Sequence, residues 1–137
     1  MYDAFRKGRL DEFVSYTYPA VVQQMGGKDK MIALLRQGRA DMEKEGFRFL
    51  SGTVASPTQI VKAGAQVHAL LPLTQILTAP GGELHLAGHV LGISSDGAAW
   101  TFIDTGNLTP ETVRELLPKF NPELKLPPKT EPKFVPK

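Results

Sequence analysis

The chain contains no cysteine among its 137 residues. Disulfide bonds and thiolate catalysis are therefore excluded, and so is any zinc site that needs cysteine ligands. Long hydrophobic runs are also missing, because no segment approaches the roughly 20 apolar residues that a membrane-spanning helix needs. The length fits one domain with one core, so we predict a single domain over residues 1–137. Nothing in the sequence indicates a cofactor.

A concentrated positive charge is lacking too. The net charge of +2 conceals five lysines against two glutamates in residues 118–137, which leaves this tail at +3 and the remainder of the chain at −1. Nucleic-acid binding needs clustered basic side chains that neutralise phosphates, so the sequence disfavours this class of partner. No signal peptide is recognisable, and the first residues, Met1–Phe5, are typical of the middle of a helix, so we expect that a leader preceded them.

What the sequence does contain is one change in hydrophobic spacing, near Gly46. Before Gly46 the apolar residues recur at helical spacing, and after it they form short β-branched runs separated by glycine, proline and aspartate. Helices followed by strands in a short chain predict an α+β fold with N-terminal helices on one face of an antiparallel sheet. We expect this sheet to have about four strands and to curve, with the helices over its concave face.

The predicted elements follow from the same spacing. Residues 3–25 would form two or three short helices, and a longer one would run from Lys30 to Gly46, with Gly38 on its inner stripe for close approach to the sheet. A short C-terminal helix would open at Thr109, and the Pro-rich tail, residues 118–137, would lie extended along the domain. The four predicted strands are Phe47–Val54 continued irregularly by Gln59–Val61, then Gln66–Thr78, Leu84–Ser94 and Trp100–Thr105. Pro72 predicts an edge or a bulge in the second of these strands.

Three segments together resemble an uncharacterised bacterial branch of the nuclear transport factor 2-like superfamily. They are Tyr16–Pro19 leading to Met25–Lys28, then Leu91–Ser94, and then Trp100–Thr105. The resemblance implies a cystatin-like cone with a cavity, and it implies export to the periplasm or the outside of the cell, with the cytoplasm not excluded. It says little about function, because the superfamily includes isomerases, dehydratases, hydrolases and proteins that only bind.

The chain departs from that branch in one hairpin. The branch typically carries Ser-x-Asp-x-Gly-x-x-Trp, whereas here Ser94, Asp96 and Trp100 remain, the loop is one residue shorter, and Ala98 replaces the glycine. Because aspartate side chains readily accept hydrogen bonds from turn amides, we interpret Asp96 as a structural element of the hairpin rather than as a functional residue.

The candidate site residues are those that a concave sheet face and its mouth would bring together. Trp100, Phe102 and Asp104 have the same parity in one strand and so share a face, on which Asp104 would be a carboxylate able to act as a general base. The alternative is that Asp104 only closes its strand and bonds the loop near Gly106. The full set of predicted ligand-binding residues is Tyr16, Tyr18, His89, Trp100, Phe102 and Asp104, with Asp104 and Tyr16 as the catalytic candidates.

No metal site is predicted. His85 and His89 are four residues apart in a strand, which separates them by about 13 Å at ~3.4 Å per residue. Two ligands of one ion each lie about 2.1 Å from it, so this pair cannot share a metal. Separate surface or pocket histidines are the simpler interpretation.

Three functional hypotheses follow from this pattern. The first is a non-catalytic domain that binds a small molecule or a partner in the cone. The second is a cofactor-independent isomerase, dehydratase or hydrolase that uses Asp104 with Tyr16, Tyr18 or His89. The third is a structural module that forms a homodimer through an open sheet face.

Overall fold

The computed structural model describes residues 2–137, apart from the side chain of Asn107; Met1, before which a leader was expected, lies outside the described residues. Within them the architecture is α+β, as predicted: N-terminal helices pack on a curled antiparallel sheet that forms a half-barrel, and a short helix follows it. The helices are α1 (Tyr2–Arg6), α2 (Leu10–Ser15), α3 (Pro19–Gln24), α4 (Lys28–Lys44) and α5 (Pro110–Leu116), with a 3-10 helix at Thr105–Asn107. The strands are β1 (Arg48–Val54), β2 (Gln59–Ala63), β3 (Gln66–Ala79), β4 (Gly82–Ser94), β5 (Thr101–Asp104) and β6 (Lys133–Pro136).

The helices begin and end at the residues that their chemistry favours. Pro19 opens α3, and α5 begins with a capping box in which the side chains of Thr109 and Thr112 each accept a hydrogen bond from the other's backbone N–H. Gly46 follows α4 with a φ of 89°, a conformation that glycine adopts without strain. Gly38 corrects one prediction, because it is exposed and no atom of another element lies within 4 Å of where its Cβ would be. It therefore makes no close approach to the sheet.

The sheet has a main path of four strands, in the order β1-β3-β4-β5, which matches the predicted number. Two further strands extend it, because β2 pairs with β3 beyond the end of β1, and β6 pairs with β4. β1 and β2 follow the same edge of β3 and are separated by Ala55–Thr58, so the irregular first strand is confirmed. Pro72 lies opposite this interruption, so no hydrogen bond between strands is lost because proline has no N–H. The carbonyl of Pro72 accepts the backbone N–H of Ala55 at 2.9 Å.

One face of the sheet, here called the N-terminal face, is covered by α1 and α2. Its apolar residues come from four strands, and they pack against Tyr2 and Phe13. These residues are Phe49, Leu71, Leu73, Val90 and Phe102. Gly52 allows α1 to approach closely, because a Cβ at this position would lie 2.7 Å from the Cβ of Tyr2.

The opposite face, here called the C-terminal face, is covered by α5 and the tail. The sheet contributes Leu70, Leu91, Ile93 and Ile103 to this core. The residues that cover it are Leu108, Val113, Leu116, Leu117 and Leu124. The tail is held further by Gln59, whose side-chain amide donates to the carbonyl of Lys125 and accepts its N–H, both at 2.9 Å. This larger core therefore depends on residues after the last predicted helix.

The outer edge of β4 is paired at both ends and contacted by two hydroxyls in its exposed middle. β5 pairs with Val90–Ile93 and β6 with Gly82–His85. Between them the carbonyl of His89 accepts the hydroxyl of Thr105 at 3.0 Å, and the carbonyl of Ala87 accepts the hydroxyl of Thr130. Beyond β5, the backbone of residues 16–18 bonds that of Phe102, with N–O distances of 2.8 and 3.0 Å. In the part of the chain that is described, no helix has the length and apolarity to cross a bilayer.

Candidate functional site

An apolar cavity of about 440 Å³ lies where the N-terminal helices meet β5 and α5. Its wall is largely aromatic and aliphatic, with polar atoms from only a few side chains. The wall includes Tyr2, Phe5 and Phe13 of the N-terminal segment, Met31 and Leu35 of α4, and Phe102, Ile103 and Asp104 of β5. Sites for small ligands are typically concave, mainly apolar, and about 300–1,000 Å³ in volume, so this cavity has the dimensions of a ligand site.

The aromatic wall is fixed by contacts among short helices. The ring of Phe5 lies 5.1 Å from that of Phe13 and 5.1 Å from that of Phe49, with the second pair edge to face. Arg39 of α4 donates to the carbonyls of Phe5 and Arg6, at 3.1 and 2.9 Å, and its guanidinium carbon lies 5.9 Å from the centre of the Phe5 ring. α1 has only five residues, so these contacts rather than its own hydrogen bonds hold it in place.

Asp104 provides the carboxylate of the cavity. It ends β5 opposite Val90, and its Oδ1 accepts the amide N–H of Gly106 at 2.9 Å. This is the strand-closing role that the sequence offered as an alternative to catalysis. Among the described residues of the wall, Asp104 carries the only carboxylate, and no lysine, arginine or histidine joins it.

Tyr2 is a member of the cavity wall that sequence reasoning missed. It is buried, and burial raises the pKa of its hydroxyl; the negative charge of nearby Asp104 raises this pKa further. Tyr2 therefore stays protonated at neutral pH. The signal that could have found it is the pair Tyr2 and Phe5, which lie three residues apart and so share one face of a helix.

A second cavity, of about 490 Å³, lies where the tail passes the exposed middle of β4. Its wall includes His89 from β4, Thr105, and the tail residues Pro127–Thr130. Asp104 and Gln75 line both cavities, so they lie at the boundary between the two. The structure thus brings three of the predicted site residues to adjoining spaces: Phe102 and Asp104 to the first, and His89 with Asp104 to the second.

The other predicted residues lie elsewhere. Trp100 and Phe102 each have a ring atom 3.2 Å from the Cβ position of Gly92, which confirms that they share a face, but Trp100 does not line the first cavity. Tyr16 is 38% exposed, and the Tyr18 hydroxyl accepts the side-chain amide of Gln66 at 3.2 Å. Within residues 2–137 no hydrogen bond joins Asp104 to Tyr16, Tyr18 or His89.

The hairpin after β4 has the predicted structural role for its aspartate. Oδ1 of Asp96 accepts the amides of Ala98 and Ala99, both at 2.9 Å, and the hydroxyl of Ser94 at 3.1 Å. The Ala99 and Ala98 amides, together with Ser94, lower the pKa of this carboxyl. Asp96 therefore stabilises the turn and lies away from both cavities.

The histidines are separate, as their spacing indicated. Nε2 of His85 lies 3.2 Å from Oε1 of Glu83. His68 is fully buried on the C-terminal face. Its Nε2 lies 3.0 Å from the side-chain oxygen of Gln66, and the centre of its ring lies 5.9 Å from that of Phe120. The His68 Nδ1 has no hydrogen-bond partner among the described residues. Across residues 2–137, no three metal-ligating side chains come together.

Burial of His68 makes stability depend on pH. Burial lowers the pKa of His68 below its ordinary value of about 6.5, so the unfolded chain takes up the proton first as the pH falls. Above about pH 6.5 both states are neutral at this position and the effect vanishes. Below it we expect the free energy of unfolding to fall by up to about 1.4 kcal/mol per pH unit until the folded state also protonates.

The measurement is urea unfolding at a series of pH values between about 7 and 5, on the wild type and on His68→Leu. We expect His68→Leu to remove this part of the pH dependence. His85→Leu is the control for the loss of an imidazole that is not buried, since the His85 side chain is 35% exposed, and it should keep the fall in stability at low pH. Parallel slopes for the wild type and His68→Leu would show that the buried imidazole is not responsible.

No protein-family profile, curated protein or solved structure matches this chain. The functional interpretation therefore depends on the two cavities and on the residues that line them. Of these, the first cavity has the aromatic wall and lies between the N-terminal helices and the sheet, and it is the candidate site.

Proposed function

We propose that the chain is a non-catalytic domain that binds a small, largely apolar molecule in the first cavity. The observation that carries the proposal is the cavity of about 440 Å³ with an aromatic and aliphatic wall. A concave and mainly apolar space of this volume, bordered by helices and a sheet, is the form that ligand sites take.

We further propose that the fold is a cone of the nuclear transport factor 2-like superfamily. Support comes from the order of the elements, with helices before a curled antiparallel sheet, and from the position of the cavity under those helices. Two of the three segments that carry the resemblance contribute to the wall of this cavity, the first through Thr17 and Met25 and the last through Phe102–Asp104. The same resemblance is our ground for proposing that the protein works outside the cytoplasm.

The position of Asp104 supports binding over catalysis. Its Oδ1 is engaged by the Gly106 amide, and no second titratable group among the described residues hydrogen-bonds to this carboxylate. General acid–base catalysis by a pair needs both groups within about 3 Å of the reacting atoms. A lone carboxylate at the boundary of an apolar cavity is better suited to orienting a ligand.

The proposal is tested with the neutral fluorescent dye N-phenyl-1-naphthylamine, whose emission rises in apolar surroundings. We expect saturable binding to the wild type and a loss of affinity of about tenfold or more in Leu35→Trp, because the larger ring would occupy the cavity. Leu34→Trp is the matched control, since Leu34 is 47% exposed and does not line the cavity, and it should bind as the wild type does. No saturable binding, or equal binding by both variants, would overturn the proposal.

A further inference from the structure

The described wall of the first cavity carries a carboxylate and no cationic side chain. Asp104 is the only described wall residue with a formal charge at neutral pH, because Tyr2 remains protonated there. The other polar wall groups near it are neutral, among them the side-chain amide of Gln75. A neutral or anionic ligand would leave this carboxylate facing apolar atoms with less water around it, which is costly unless the charge is paired.

We propose that the ligand of this cavity is an apolar organic cation whose protonated amine pairs with Asp104. This inference rests on the proposed function, because it assigns the class of molecule that the same cavity takes. The apolar body of the ligand lies among Phe5, Phe13 and Met31, and its charged nitrogen lies at the boundary with the second cavity.

Three features of the structure favour a cation there. Burial, and after it the negative charge of Asp104, raises the pKa of the Tyr2 hydroxyl, and the same negative charge attracts a positive group in the cavity. Phe102 lies two residues before Asp104 on the same face of β5 and lines the same cavity, so the wall that holds the carboxylate also offers an aromatic ring to a cation. The hydrogen bond from Gly106 to Oδ1 fixes the orientation of the carboxylate before any ligand arrives.

The second cavity adds room at the charged end. Lys129 on the tail lines that cavity, but no ion pair between Lys129 and Asp104 occurs among the described contacts. Among residues 2–137, therefore, no side chain forms an ion pair with this carboxylate. Substituents on the nitrogen can extend towards Thr105 and the tail, while the apolar body stays in the first cavity.

The test uses three probes with the same eight-carbon body: octylamine, 1-octanol and octanoate, each competing with the neutral dye at neutral pH. At this pH the amine is a cation and the carboxylic acid an anion. We expect octylamine to displace the dye about tenfold more strongly than octanol, and octanoate to be the weakest of the three. Equal displacement by octylamine and octanol, or stronger displacement by octanoate, would overturn the inference.

A variant identifies the responsible group. Asp104→Asn removes the charge but keeps an oxygen that can accept the Gly106 amide, so the strand end stays closed. We expect this variant to lose the preference for octylamine over octanol, so that the ratio of the two affinities, measured by displacement of the dye from the variant itself, falls to about one. Asp11→Asn, an exposed position on α2, is the matched control and should keep the preference. A preference that persists in Asp104→Asn would contradict the assignment.

The two proposals fail in different ways. If the wild type binds the dye and octanol with no preference for the amine, the cavity is a binding site and only the cationic ligand class is wrong. If neither the dye nor any probe binds saturably, the proposed function itself fails, and the ligand class fails with it.

Discussion

Leu124→Ala lowers the free energy of unfolding by about 2–5 kcal/mol, although the residue lies in a Pro-rich tail after the last helix. Leu124 is 2% exposed and belongs to the core on the C-terminal face, in contact with residues of both the sheet and α5. Truncation removes the transfer free energy of the buried side chain and leaves a cavity that the neighbouring elements cannot fill without moving. The loss is a large fraction of the 5–15 kcal/mol that stabilises a typical domain.

The measurement is chemical denaturation of the wild type and the variant, followed by tryptophan fluorescence from Trp100 and by circular dichroism. Leu34→Ala is the matched control: it makes the same change on α4 at a position that is 47% exposed, and its effect should stay within about 0.5 kcal/mol. If Leu124→Ala proves as mild as this control, the tail does not form part of the core, and the C-terminal face must be covered in another way.

The second large effect concerns two glycine-to-alanine substitutions that we expect to change the free energy of unfolding in opposite directions. In Gly52→Ala the new Cβ would lie 2.7 Å from the Cβ and 2.9 Å from the Cγ of Tyr2, atoms so near the backbone that α1 itself must shift. We expect a loss of about 1–3 kcal/mol in the free energy of unfolding. Weaker dye binding should accompany it, because α1 supplies Tyr2 and Phe5 to the cavity wall.

Gly38→Ala provides the opposite expectation. This glycine lies inside α4, is exposed, and has no atom of another element within 4 Å of its Cβ position. Alanine favours the helix by up to about 1 kcal/mol over glycine, so the variant should be more stable than the wild type. Thermal and urea unfolding of both variants measure the contrast. Destabilisation by Gly38→Ala, or a neutral Gly52→Ala, would mean that the packing of α1 or α4 differs from that described.

The fold was predictable because the hydrophobic spacing changes from helical to strand-like at one place. Periodicity identified α4 and the four strands of the main path, and Pro72 indicated an irregularity in β3, which the structure places opposite the break between β1 and β2. It did not identify β6, since Lys133–Pro136 contains only four residues and ends in proline, and its pairing with β4 depends on contacts across some fifty residues of sequence. It also assigned Gly38 to a close approach that in fact occurs at Gly52, because spacing alone does not tell which glycine meets another element.

The site was predictable only in part, for a related physical reason. Parity within one strand correctly placed Phe102 and Asp104 together, because alternation is fixed by the pleat. The residues that line the cavity with Asp104 come from distant parts of the chain, for example Tyr2 near its start and Gln75 on β3. Tyr16 and Tyr18 flank a backbone bridge to β5, which directs their side chains by the geometry of that bridge and not by any local pattern.

The pairing along the outer edge of β4 affects the tendency of the protein to aggregate at high concentration. An open strand edge offers unpaired amides and carbonyls on which another chain can grow a sheet, and this route leads to aggregation and fibrils. On the outer edge of β4, backbone groups are paired with β5 and with β6, which ends at Pro136, and two carbonyls between them accept hydroxyls. Beyond β5, the backbone of residues 16–18 pairs with that of Phe102. The other side is broken by a bulge between Phe49 and Ser51 and by the gap before β2. We therefore expect removal of the tail, which exposes part of the β4 edge as well as the core, to increase aggregation at high concentration.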